Sequence, residues 1–272
     1  MHAMPNLPVY SVSTDAGVLL HTTDSRGVHT LTLNQPAAFN VLSNAMLDAL
    51  QTALAAVAAD AHARVVVLAA SGKAFCAGHN LKEMIAQPEL AAYQALFAKC
   101  TKVMLAIASL PVPVIARVQG IATAAGCQLV AQCDLAVAAD TVKFGVNGID
   151  VGLFCATPSV PLSRNIPQKI AMEMLLTGEF ITADQAKAHG LVNRVCMSDA
   201  LDATVEQLVS AVLAKPAEAL AMGKQLFYQQ REAGLAGAYQ LAGQSMACNM
   251  MLPVAQEGVL AFTEKRAPSW RA

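Results

Sequence analysis

Residues 65–80 read VVVLAASGKAFCAGHN, and residues 114–128 read VIARVQGIATAAGCQ. Each opens on an aliphatic run, passes through a string of small residues and ends where a helix can begin. A short apolar run bounded by turn residues fits a strand buried on both faces, as in a parallel sheet. Small residues let another group approach the main chain closely. A helix start leaves unpaired N–H groups and the positive end of the helix dipole. Two such turns side by side would supply two converging N–H donors, the geometry that holds an oxyanion. The same Ala and Gly residues would also serve tight helix–sheet packing, and spacing alone does not separate the two readings.

Working outward, residues 28–33 (VHTLTL) alternate like a half-buried strand that ends at Asn34, Gln35 and Pro36. Ser43 is placed as the N-cap of a helix whose face carries Met46, Leu47, Leu50, Leu54 and Val57. Residues 74–79 read as a loop, after which Asn80 caps a short helix with Glu83 three positions on. Leu90, Tyr93, Leu96, Phe97, Cys100, Val103, Met104 and Ile107 mark a long amphipathic helix, stopped by Pro111 and Pro113. Residues 120–125 read as a second loop, followed by a helix over about 126–133 and a strand over 135–138. Thr182 and Gln185 open a capped helix that Gly190 closes. Beyond Ser198 only helical patterns occur, with Pro216 in the first turn of one of them. Strands alternating with helices predict an α/β core over 1–200 and a helical tail over 201–272.

The chain has 272 residues, of which 55 % are hydrophobic and 14 % charged, with a formal net charge of -1. That excludes a disordered chain and provides no basic track for nucleic acid. So little charge predicts a subunit that hides part of its surface against copies of itself. No run of about 18 uninterrupted apolar residues suggests a membrane span, and residues 1–15 have no secretory pattern. The seven cysteines are scattered, without a CxxC pair, and read as reduced thiols in a cytoplasmic protein. There is no G-x-S-x-G elbow, G-x-G-x-x-G fingerprint, Walker loop or HExxH, so neither a nucleotide cofactor nor a metal is expected.

The segments KAFCAGHNLKEM (73–84) and PVPVIARVQGIATAAGCQLVAQCDLAVAAD (111–140) resemble the two oxyanion segments of the crotonase, or enoyl-CoA hydratase/isomerase, superfamily. Phe144, Gly145, Gly152, Leu153, residues 176–192 and the tail EGVLAFTEKR (257–266) are similar to later blocks in the same order. GCQLVAQCD and VGLFCATP resemble a divergent branch, the enoyl-CoA hydratase domain-containing proteins. The resemblance implies a spiral of ββα units and a C-terminal helical trimerisation region. It also implies assembly as a trimer or a dimer of trimers, and an acyl-CoA thioester as ligand. Coenzyme A is then part of the substrate, and no separate cofactor is implied.

By position, the resemblance assigns the oxyanion N–H groups to His79 and Ala125. Such donors stabilise a thioester enolate by about 3–4 kcal/mol each. It places Ala77, Gly78, Asn80, Leu81, Lys82 and Gly126 around the thioester and pantetheine, and Ala37, Ala38 and Asn40 along the adenine and ribose. Lys265 fits a tail cation that reaches phosphate from a neighbouring subunit, or stands as a solvated charge. The nominal reaction is hydration of a trans-2-enoyl-CoA, for which the family uses two glutamates. Gln128 and Gly148 stand at those positions. An amide does not exchange protons at neutral pH as a carboxylate does, and glycine has no side chain.

Three residues remain as chemical candidates. Gln128 can orient a water or bond locally in its helix. Asp150, two residues after Gly148 on an expected strand, points to the same face and can act as base, or stands solvated. Cys155 can be a nucleophile if its pKa is lowered, or a buried inert thiol. The alternatives to hydration are a silent acyl-CoA binder and another thioester reaction, such as isomerisation or hydrolysis.

Overall fold

The computed structural model describes residues 10–12 and 17–271. The expectation about a secretory pattern over 1–15 therefore falls almost wholly outside the described residues. In chain order the strands are β1 (Tyr10–Val12), β2 (Leu19–Thr23), β3 (Val28–Leu33), β4 (Val65–Ala70), β5 (Ala74–Cys76), β6 (Val114–Val118), β7 (Ile121–Thr123), β8 (Leu135–Ala139), β9 (Lys143–Gly145), β10 (Ile181–Thr182) and β11 (Arg194–Cys196). The helices are α1 (Asn44–Ala59), α2 (Leu81–Ala86), α3 (Leu90–Ser109), α4 (Ala125–Gln132), α5 (Ala156–Asn165), α6 (Gln168–Thr177), α7 (Ala183–His189), α8 (Leu201–Leu213), α9 (Ala217–Gln230), α10 (Leu235–Met250) and α11 (Pro253–Thr263).

Local signals account for most of these elements. Ser43 Oγ accepts from Met46 N at 3.1 Å and starts α1, whose Met46, Leu47, Leu50, Leu54 and Val57 are buried. Thr182 and Gln185 form a reciprocal capping box, and Gly190 closes α7 in the left-handed conformation. All six residues of β4 are buried, as a central parallel strand requires. α3 is a 20-residue helix apolar enough by length to cross a membrane. One stripe of it, from Leu96 to Ile107, is buried in the core.

Seven strands form one sheet in the order β1-β2-β3-β4-β6-β8-β11, and four form a second in the order β10-β9-β7-β5. From β3 to β11 the large sheet is parallel. Three successive units (β4 and β5, β6 and β7, β8 and β9) each give their first strand to the large sheet and their second to the small one. A helix follows each pair, which is the ββα spiral that the resemblance implies.

The small sheet corrects the sequence reading, which takes 74–79 and 120–125 as loops. They contain β5 and β7, paired in parallel, with a register irregularity between Ala74 and Cys76. Strands of three residues are too short to display a period. A second correction lies at 147–151, expected as strand and found as a 3-10 helix. Just beyond the expected boundary at 200, α8 buries Leu201, Val205 and Val209 in the core. Neither α9 nor α10 has a fully buried residue.

Candidate active site

The parallel pair β5–β7 sets the two small-residue turns against each other. At Gly78, φ is +91°, and a Cβ there would stand 2.9 Å from Ala124 Cβ and 3.3 Å from Ala125 N. Only glycine tolerates both the conformation and the contact. Ala124 is itself at φ 50° and ψ -121°, a sparsely populated region whose strain costs about 1–3 kcal/mol. Its N–H is held by Gly145 O at 2.9 Å. Ala125 then begins α4, where its N–H has no helical partner. Leu42 N donates to Gly78 O at 2.7 Å, and His79 N takes no part in that pairing. Among the described residues neither the His79 nor the Ala125 N–H has a main-chain acceptor.

Both residues line one cavity of about 310 Å³ with Ala77, Leu81, Thr123 and Gly148. In the same wall the Thr123 hydroxyl donates to Asn147 Oδ1. The titratable side chains in its wall are His79 and Cys155. Burial holds the His79 imidazole below the ordinary histidine range. Its Nδ1 lies 3.4 Å from Leu42 O, its ring meets the Phe97 ring edge-on at 5.5 Å, and Nε2 is buried without a partner. Burial pushes the Cys155 thiol up. Its Sγ accepts from Gly148 N at 3.3 Å. The thiol is therefore protonated at neutral pH, which argues for the inert reading of Cys155.

A Cβ at Gly148 would meet Leu153 O and would lie 2.8 Å from Cys155 Sγ. The turn at 153–155 fills the space that a side chain at 148 would need. Gln128 is 4 % exposed with Oε1 unpartnered, and it is absent from the cavity wall. Asp150 does not point into the cavity: it is exposed on the 3-10 helix, and its Oδ1 lies 2.7 Å from the place of a Gly178 Cβ. The two-residue spacing that would align it with Gly148 holds for a strand and not for this turn.

Several expected ligand contacts are internal ties instead. Asn40 is fully buried, accepting from Gln35 N and donating to Ser71 O and Ala74 O. Asn80 caps α2, accepting from Lys82 N and Glu83 N. Gly126 is where α4 presses onto β5: a Cβ there would strike Cys76 O. Ala37, Ala38, Lys82 and Lys265 are exposed and lie outside the cavity wall. The sequence reading missed Met84 and Phe97 as lining residues, and it missed the Thr123–Asn147 pair.

A family model described as enoyl-CoA hydratase/isomerase matches residues 23–272. The chain belongs to this family. Within the enoyl-CoA hydratase/isomerase family it is similar to an enoyl-CoA hydratase of known structure from Mycobacterium smegmatis. That structure is 62 % identical with a TM-score of 0.92, over 94 % of this chain and 99 % of that one. It is also similar to the human enoyl-CoA hydratase domain-containing protein 3 structure, at 39 % identity and a TM-score of 0.86, over 97 % and 100 % of the two chains. The curated Xenopus laevis protein of that name is 42 % identical, over 90 % of this chain and 83 % of its own. A 2,3-dehydroadipyl-CoA hydratase from Escherichia coli K12 is 35 % identical, over 89 % of this chain and 94 % of its own. The expectation of a cytoplasmic protein is overturned here. The Xenopus relative is named as mitochondrial, and so are its rat, mouse, human and zebrafish counterparts. Scattered free thiols indicate a reducing compartment without specifying which one.

Proposed function

We propose that this family member binds an acyl-CoA thioester, polarises the carbonyl with the N–H groups of His79 and Ala125, and stabilises the resulting enolate. The observation that carries this reading is the close approach of the Gly78 turn to Ala125, near enough that a Cβ at 78 would stand 3.3 Å from Ala125 N, with two amides lacking a main-chain acceptor in the wall of one cavity. Preoriented amides act on developing charge without first reorganising.

Hydration of trans-2-enoyl-CoA is the nominal reaction, and its turnover is expected to be weak. Adding water across the double bond needs a group that takes a proton from water and one that returns it to the α carbon. Gln128 and Gly148 do neither. The test is crotonyl-CoA hydration at neutral pH. Turnover near that of an ordinary family hydratase would overturn this expectation.

A second reading, an acyl-CoA binder without turnover, is favoured by the absence of any carboxylate among the described residues of the cavity wall. Calorimetric titration with acyl-CoAs beside the activity assay separates the two, because tight binding without turnover on any thioester supports the second. Assembly as a trimer or a dimer of trimers belongs to the same proposal. Its support is the apolar surface that α10 and α11 leave open, with Phe262 84 %, Tyr239 74 % and Met251 74 % exposed. Sedimentation showing a clean monomer would remove it, along with any ligand role for Lys265.

A further inference from the structure

Among the described residues, the cavity wall has no charged side chain. Its polar side chains are those of His79, Thr123, Asn147, Cys155 and Thr157, all neutral, and the other lining side chains are apolar. Four of the apolar lining residues also stand open to solvent at the mouth: Val151 is 68 % exposed, Leu81 50 %, Leu153 45 % and Phe154 42 %. Ile85, 75 % exposed, lies one helical turn beyond Leu81 and continues its face of α2 outward. Large apolar side chains concentrated at one opening mark a surface that is covered when the protein works. This rim is continuous with a cavity whose inner end presents donors for a carbonyl.

We infer that the acyl group is a long, uncharged hydrocarbon chain. Its near part fills the cavity, and its far part leaves between the Leu81–Ile85 face of α2 and the Val151–Phe154 turn. This rests on the thioester reading above and names the acyl class within it. An acyl chain ending in a carboxylate is refused, because a buried charge without a partner is costly. The Escherichia coli relative is named for such a diacid ester, and nothing in this cavity would pair with its distal end.

The test is a set of dissociation constants for butyryl-, octanoyl- and dodecanoyl-CoA, with hexanoyl-CoA set against adipyl-CoA. Full burial of a methylene tightens binding about fourfold, and half-exposed positions give about twofold. A gain of at least about 250-fold from butyryl to dodecanoyl, eight methylenes at twofold or more each, is expected, with adipyl-CoA at least about tenfold weaker than hexanoyl-CoA. A flat or reversed length series, or equal binding of the two six-carbon esters, overturns the inference while leaving thioester binding intact. If no ester binds at any length, the thioester reading falls and the inference falls with it.

Ile85→Asp supplies a second readout. It is expected to weaken dodecanoyl-CoA about tenfold more than butyryl-CoA. If it changes the sedimentation coefficient and leaves the length series as it was, the rim is a contact between copies of the chain and the inference is wrong.

Discussion

Lys224 of α9 places its Nζ 2.6 Å from Asp134 Oδ2, and both side chains are largely buried, at 7 % and 16 % exposure. The ammonium also donates to Ile107 O and Val112 O at 2.9 Å each. Asp134 accepts from Val114 N and from the Tyr228 hydroxyl. The pair thus fastens the helical tail to the end of β6. Desolvation lowers the Lys224 pKa, opposed by the carboxylate beside it. Removing one partner of a buried ion pair strands the other, at about 3–5 kcal/mol. Lys224→Met is expected to lower the melting temperature by roughly 6–20 °C, taking about 2–4 °C per kcal/mol for a chain of this size. A double variant Lys224→Met/Asp134→Leu should recover part of the loss, and thermal melts of the three proteins check both statements.

Gly78→Ala forces a methyl onto Ala124 and the Ala125 amide, at a φ that alanine disfavours. Acyl-CoA affinity should fall at least about tenfold, the loss of one charge-directed donor. The infrared carbonyl stretch of a bound thioester should move back toward its value in water. An unchanged stretch would remove the proposed role of the two amides.

Gly148→Glu should not create a hydratase. Its Cβ would strike Leu153 O and crowd the Cys155 thiol, an overpacking that costs about 1–3 kcal/mol. The expected result is a lower melting temperature with no rise in crotonyl-CoA hydration, even with Gln128→Glu added. A rise of tenfold or more would show that the 153–155 turn yields.

Stability should fall on mild acidification. Burial lowers the pKa of His79 and of His21, the latter also through its neighbour His29. The unfolded chain then binds more protons than the folded one, so stability is full above the unfolded histidine value near 6.5 and is lost as pH drops below it. Melting temperatures between pH 8 and 5 should decline, and less steeply in His21→Gln. Carboxylates such as Asp60, held low chiefly by the His62 N–H, add their own loss only below about pH 4.

The sequence was legible where a signal is local. Ser43, Asn80, Thr182 and Gly190 cap helices by chemistry that reaches no further than four residues. β4 declares its double burial through its unbroken run of aliphatic residues. β5 and β7 were not legible, because three residues hold no period and their pairing partners lie more than 40 positions apart. Asn40 and Asn80 look the same to a reader whether they bond a ligand or their own backbone, since both uses exploit the same short amide. Asp150 was misplaced because five residues are too few to separate a 3-10 turn from a strand by their periods. The Thr123–Asn147 contact spans 24 residues and leaves no mark in either neighbourhood. Phe97 was read correctly as part of a helix face, and only the packing of α3 beside the first turn brought it to the cavity.

The irregular register between Ala74 and Cys76 sets the parity of everything after it. One more residue on β5 than on β7 decides which alternate groups of 77–79 look inward. Deleting a single residue there would keep every functional side chain in the molecule yet present the wrong side of the chain to the ligand. The working orientation of this site is therefore held by a count of peptide units, and length variation at that point should be tolerated far less than substitution.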